Sequence, residues 1–172
     1  MLSKYQQTII NKKESGFSLL EVMIGVFLIV VSLIGVMMLI NQSLASGSFG
    51  VSRLVAANLA QEGIELVKSV RDLTYNTASW DSWYGNISGT NDFIVQYNDL
   101  SLRPFADQPL KFDEATGLYS YDLGVATKAA YKRKITLTKI SDVEVRVVCT
   151  VSWTEKNKNF SLLAEDRLWN WR

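Results

Sequence analysis

The sequence predicts an α+β chain: one long N-terminal helix, lipid-soluble in its first half and amphipathic in its second, followed by a small antiparallel β-sheet head. Phe17 to Ile40 runs about 24 residues with a single charge, Glu21. From Val51 the apolar residues recur every three or four positions, and from Lys134 they alternate with polar ones at a period of two. The chain therefore divides into residues 1–16, polar and basic; 17–40, an apolar span; 41–73, an amphipathic continuation of the helix; and 74–172, a β-rich head.

Composition narrows the functions available. The 172 residues are 48% hydrophobic and contain no histidine, which removes Ser-His-Asp and Cys-His catalysis and every His-ligated metal. Cys149 is the single cysteine, so no intramolecular disulfide or multi-cysteine metal site exists, and its apolar surroundings place it in the core. A net charge of +1 supplies no basic face, so nucleic acid is not an expected partner. No catalytic residue, metal or cofactor is expected.

The apolar span, at about 1.5 Å per residue, reaches roughly 36 Å, enough for a hydrocarbon core of about 30 Å. A helix apolar on every side needs a large protein or lipid around it, and 172 residues cannot wrap it. Lys4, Lys12 and Lys13 precede the span and no basic residue follows it closely, which places the N-terminus in the cytoplasm and the head across the membrane. A secretory signal cut near Ser43-Leu44-Ala45 is the rival. Its apolar region would be far longer than the usual 7–15 residues and would contain an acid.

The junction Lys12-Lys13-Glu14-Ser15-Gly16-Phe17-Ser18-Leu19-Leu20-Glu21-Val22 closely resembles the class III signal of type IV pilins, pseudopilins and related filament proteins. In that family a short basic leader ends in glycine, an apolar residue follows, and a glutamate stands at the fifth mature position. Gly16, Phe17 and Glu21 match. The resemblance implies a pilin-like fold, cleavage after Gly16 by a membrane prepilin peptidase, and N-methylation of Phe17. It also implies residence in the bacterial cytoplasmic membrane as a single-pass protein, then assembly with other pilin or pseudopilin subunits into an extracytoplasmic filament. In the family the glutamate at the position of Glu21 pairs with the N-terminal amine of a neighbouring subunit.

These positions have physical reasons of their own. A protease working at the membrane face needs an extended backbone, and glycine at 16 removes the side chain that would crowd it. Glu21 is costly inside lipid, less so near the end of the span than at its centre. Cleavage would create a positive amine about 6 Å along the helix, and the two charges attract strongly where the dielectric is low. The plainer role for Glu21 is an acid favoured at a helix N-terminus, worth about 0.3–1 kcal/mol.

Beyond the span, Gly47 and Gly50 lie in a Ser/Gly/Ala-rich stretch, Ser43 to Ser52, that weakens the helix by roughly 1 kcal/mol per glycine. Val55, Leu59, Gly63, Leu66, Val70 and Leu73 then mark the inward face, with Glu65–Lys68 and Lys68–Asp72 within one turn of each other. The proline that many major pilins carry in mid-helix is missing.

In the head, Tyr75 to Gly89 reads as a loop whose Trp80, Trp83 and Tyr84 pack it onto the core; the competing use is an adhesive, sugar-stacking surface. Short strands are expected at Phe93 to Tyr97 and, after a turn at Asp113 to Gly117, at Leu118 to Asp122. Three stronger strands follow: Lys134 to Lys139, the run Val143, Val145, Val147, Cys149, Val151, Trp153, and, past a turn at Glu155 to Asn159, Phe160 to Leu168. Asp81, Asp92, Asp99, Asp107, Asp113 and Asp122 lack EF-hand spacing and read as turn formers rather than calcium ligands. Lys128, Lys132, Arg133 and Lys134 read as a solvated strand edge in preference to a phosphate-binding patch. Ala57-Asn58-Leu59-Ala60-Gln61-Glu62-Gly63-Ile64-Glu65, Val151-Ser152-Trp153-Thr154 and Leu168-Trp169-Asn170-Trp171 resemble minor, pilV-like prepilins, without the paired C-terminal cysteines of many major pilins.

The expected role is thus a structural filament subunit. A monomeric, membrane-anchored adhesion or binding protein that uses the aromatic loop is the alternative. Removal of residues 1–16 would take Lys4, Lys12, Lys13 and Glu14 from the 18 basic and 17 acidic side chains, leaving 15 and 16 and a net charge of −1.

Overall fold

A computed structural model describes residues 16, 18–75, 79–85, 89–127 and 129–170. The leader residues 1–15, Phe17, Lys128 and Trp171 lie outside the described residues. The chain is α+β, with a long N-terminal helix, apolar at its start, and antiparallel sheets against which the helix packs, in the pilin-like layout expected. It forms two compact units, one ending at Ala45 and one beginning at Ser46.

The helix α1 is Leu19–Tyr75. It starts where Ser18 turns its carbonyl to the amides of Glu21 (3.0 Å) and Val22 (3.2 Å), with Glu21 as the acid of the first turn. The weakening expected around Gly47 and Gly50 does not interrupt it. Tertiary contacts override propensity there: Phe49 packs on Phe160 at 4.9 Å between ring centres, and the Ser48 hydroxyl donates to the Glu155 carboxylate at 2.9 Å.

Among the described residues eight strands follow: β1 (Thr90–Ile94), β2 (Arg103–Pro104), β3 (Lys111–Asp113), β4 (Leu118–Ser120), β5 (Val125–Ala126), β6 (Lys132–Ser141), β7 (Glu144–Glu155) and β8 (Lys158–Trp169). The expected three-stranded sheet is a five-stranded one, in the order β2-β1-β6-β7-β8, with a second sheet β4-β3-β5 beside it. All described pairings are antiparallel. The first strand lies earlier than expected because Gln96 leaves the ladder, its amide bonding the Asp99 carboxylate at 2.9 Å. Val143 falls in the β6–β7 turn and is exposed. The β7–β8 hairpin closes through Lys156 and Asn157, both at positive φ, the left-handed pair that a two-residue hairpin requires.

Period-two burial along β6 and β7 builds the core. Tyr131 leads into β6, whose Arg133, Ile135 and Leu137 face inward, as do Val145, Val147, Cys149, Val151 and Trp153 of β7. Against them α1 lays Ala56, Leu59, Ala60, Ile64, Val67 and Val70. The buried face keeps Leu59, Gly63 and Val70 of the one expected, but Val55 and Leu66 are half-buried and Leu73 is exposed. Small residues hold the centre of the contact. A Cβ on Gly63 would stand 2.6 Å from Cys149 Sγ, 3.0 Å from Arg133 Cδ and 3.2 Å from Ile135 Cδ1, so the sheet admits no side chain there. Trp80, Trp83 and Tyr84 stack edge-on and are buried, closing the core beside the end of the helix segment.

Candidate functional site

The residues singled out at the chain start lie where the helix begins. Gly16 is exposed, and no atom lies within 4 Å of the place its Cβ would occupy, so the fold makes no demand for glycine there. Phe17, the expected cleavage and methylation residue, lies outside the described residues. Glu21 is exposed in the first turn, and no ion pair to it occurs among the described residues. It stands in a band of solvent-facing apolar side chains.

That band is a long uncovered apolar run among the described residues. Every described residue from Ser18 to Leu44 is exposed except Gly25, which is half-buried. Leu19 is 79% exposed, Phe27 65% and Met38 68%. Covering each such side chain is worth about 1.5–3 kcal/mol, and ordinary soluble monomers do not leave so large a patch open. The helix is long and apolar enough to cross a membrane, and its most apolar window buries nothing within the chain. Inside the helix Ser32 returns its hydroxyl to the Leu28 carbonyl at 2.7 Å, so the lone mid-span hydroxyl is satisfied locally.

The head holds chemistry of another kind. Arg133, expected on a solvated edge, is fully buried on an interior strand. Its guanidinium donates to the carbonyls of Leu59 (3.2 Å) and Val95 (2.6 Å) and meets the Glu62 carboxylate at 3.2 Å, while its own carbonyl accepts from the Tyr121 hydroxyl at 2.9 Å. Lys132 and Lys134, its neighbours, point outward to Asp107 (2.8 Å) and Asp92 (3.2 Å), so the run splits into a core anchor and two surface pairs. The inward parity Tyr131, Arg133, Ile135, Leu137 is the sequence signal that places Arg133 inside. Lys68 pairs with Glu65 as expected, at 3.2 Å, but its second partner is Asp166 of β8 at 2.9 Å in place of Asp72, which pairs with Arg71.

The aspartates weighed as calcium ligands do not converge. Asp81 accepts from Tyr84, Asp92 from Thr136, Asp99 and Asp122 hold Arg103, and Asp113 closes its own turn. No cluster of metal-ligating side chains occurs among the described residues. Gln96 is buried, with its side-chain amide donating to Asn98 and Asp122 and its carbonyl accepting from the Tyr121 amide. Burial pushes the Cys149 thiol up to about 12, so it stays a neutral core thiol. With Trp80, Trp83 and Tyr84 buried, the aromatic loop offers no stacking surface from these rings. No protein-family model, curated protein or solved structure matches the chain.

Proposed function

We propose that this chain is a structural subunit of a type IV pilus or type II secretion filament, a minor pilin or pseudopilin that itself catalyses nothing. A prepilin peptidase cuts after Gly16 and methylates Phe17. The apolar segment of α1 stays in the cytoplasmic membrane until it is drawn into the filament, where neighbouring helices replace lipid around it. Glu21 pairs with the Phe17 amine of an adjacent subunit and sets the register.

The observation that carries this reading is the part of the helix from Leu19 to Ile40, apolar and with every large side chain exposed, with one acid in its first turn. A plain anchor is served by the apolar residues alone, and a helix-end acid would add only about 0.3–1 kcal/mol to it. Gly16 adds support, since nothing in the fold requires glycine at that position. The adhesion alternative loses its proposed surface to the core.

Glu21→Ala tests the assembly role in the native host. Cleavage should proceed at close to the wild-type level, whereas the amount of this subunit in sheared filaments should fall at least several-fold. Incorporation at the wild-type level would reduce Glu21 to a helix-end acid.

A further inference from the structure

Most basic residues of the head meet a carboxylate, as Lys132 meets Asp107 and Arg146 meets Glu165. Lys156 and Lys158, at the β7–β8 turn, do not: both are exposed, and no ion pair to either occurs among the described residues. Beside them Ser48 and Ser52 of α1, with Thr154, Glu155, Lys156 and Asn157 of the hairpin, line a cavity of about 510 Å³. Thr154, Lys156 and Asn157 are exposed, so the cavity opens to solvent, whereas Glu155 is half-buried. The two carboxylate oxygens of Glu155 differ. Oε1 accepts from the Ser48 hydroxyl at 2.9 Å, while Oε2 is buried and takes no hydrogen bond. A buried carboxylate oxygen is unfavourable without a donor, and the strongest donor for it is a cation. An acceptor and an unpaired ammonium therefore stand side by side at one opening.

The hairpin lies at the end of the head from which the apolar segment departs. β8 runs from Phe160, packed on Phe49, to Asp166, paired with Lys68, and Ser48 follows Ile40 by eight residues, about 12 Å of helical rise. A headgroup layer takes up about 5–8 Å of such a rise, and a lysine stem reaches across much of the rest. We propose that this cavity binds the headgroup of a phosphatidylethanolamine lipid in the leaflet next to the head. The primary ammonium donates to Glu155 Oε2, and Lys156, with Lys158 beyond it, faces the phosphate. The ethylene link between amine and phosphate matches two opposite charges on neighbouring residues. A choline headgroup carries the same charges but has no N–H to donate, and a glycerol headgroup donates a hydroxyl but brings no cation to the carboxylate. The site rests on the apolar segment of α1 crossing a membrane; it does not depend on filament assembly.

The test uses the full-length chain in detergent, offered equal amounts of phosphatidylethanolamine, phosphatidylcholine and phosphatidylglycerol, with retained lipid counted by native mass spectrometry. Matched acyl chains leave the headgroup as the variable, since α1 holds any lipid by its tails. The wild type should retain the ethanolamine lipid over the choline lipid by roughly fivefold or more. Glu155→Gln, which keeps the shape and removes the charge, should bring that ratio to about one. Lys156→Ala/Lys158→Ala should lower retention of the ethanolamine lipid several-fold, with head unfolding in urea unchanged. Equal retention of the two lipids by the wild type, retention led by the glycerol lipid, or a preference that survives Glu155→Gln overturns the proposal. Flotation with pure phosphatidylcholine vesicles keeps two failures apart. A chain that inserts there without an ethanolamine preference has its span and lacks the site, whereas one that inserts into no vesicle overturns the membrane reading and the site with it.

Discussion

Between Leu19 and Leu44 the helix buries none of its large apolar side chains, while between Ala56 and Val70 it buries one complete face. The glycines mark the same contrast. Gly25 and Gly35 have open space where a Cβ would go, and Gly63 has Cys149 at 2.6 Å. So do the charges: no ion pair to Glu21 occurs among the described residues, whereas Arg133 is held by two carbonyls and a carboxylate. In the second segment the chain itself supplies the surroundings that dictate each residue. In the first segment the chain supplies no such surroundings among the described residues, and that is why its residue choices explain nothing about the head.

Substitutions can break that contrast. Arg133→Ala should be the most damaging change in the head, costing about 3 kcal/mol or more, because it opens a cavity, strands the Val95 carbonyl and takes the partner from the Glu62 carboxylate. Urea unfolding of the full chain in detergent, followed by tryptophan fluorescence, reads it. Gly63→Ala should cost about 1–3 kcal/mol despite alanine's better helix propensity, and Cys149→Ala in the same chain should recover part of the loss by removing Sγ. Gly35→Ala should leave head unfolding within about 0.5 kcal/mol of wild type. Equal effects at positions 35 and 63 would erase the distinction between the segments.

A smaller effect belongs to the Lys68–Asp166 pair. Burial is the largest single influence and would raise the Asp166 carboxyl, but the hydrogen bonds from Lys68 and from the Arg167 amide, with the charges of Lys68 and Arg71, together outweigh it and hold the group below the usual aspartate range. A depressed folded value means the contribution is complete above about pH 4 and is lost as pH falls through that lower value. Lys68 is raised, chiefly by its hydrogen bonds to Asp166 and Glu65, so its share persists below about pH 10.5 and disappears as pH climbs past it. Both groups are part-exposed, so Asp166→Asn should cost only a few tenths of a kcal/mol near neutral pH and nothing once the carboxylate is protonated. A loss of equal size at pH 2 would contradict the pairing.

The long elements were legible because each repeats its pattern many times. Val145 to Trp153 alternate in sequence and in burial, and the apolar run of α1 needs only counting. Short elements were not: β2 and β5 have two residues each, too few for any periodicity to register. The helix face was read correctly at Leu59, Gly63 and Val70 but missed Ala56 and Ala60, because they are small, and close approach of helix to sheet selects small residues over the large ones that a hydrophobic pattern favours. The Gly47–Gly50 stretch was misjudged for a related reason, since contacts of Phe49 and Ser48 with the β7–β8 hairpin lie more than a hundred residues away in sequence. Arg133 shows the same limit, a charge on the inward parity whose partners become visible only when strand and helix meet. Gly16 and Glu21 work the other way round. They are distinctive in sequence, and no contact among the described residues accounts for them.

The mature N-terminus therefore tests the account most directly. Protein recovered from the membranes of its native host, examined by intact mass and N-terminal fragmentation, should begin at Phe17, carry one methyl group on its amine and retain the whole apolar helix. A chain that keeps Met1, or one cut near Ala45, would contradict it.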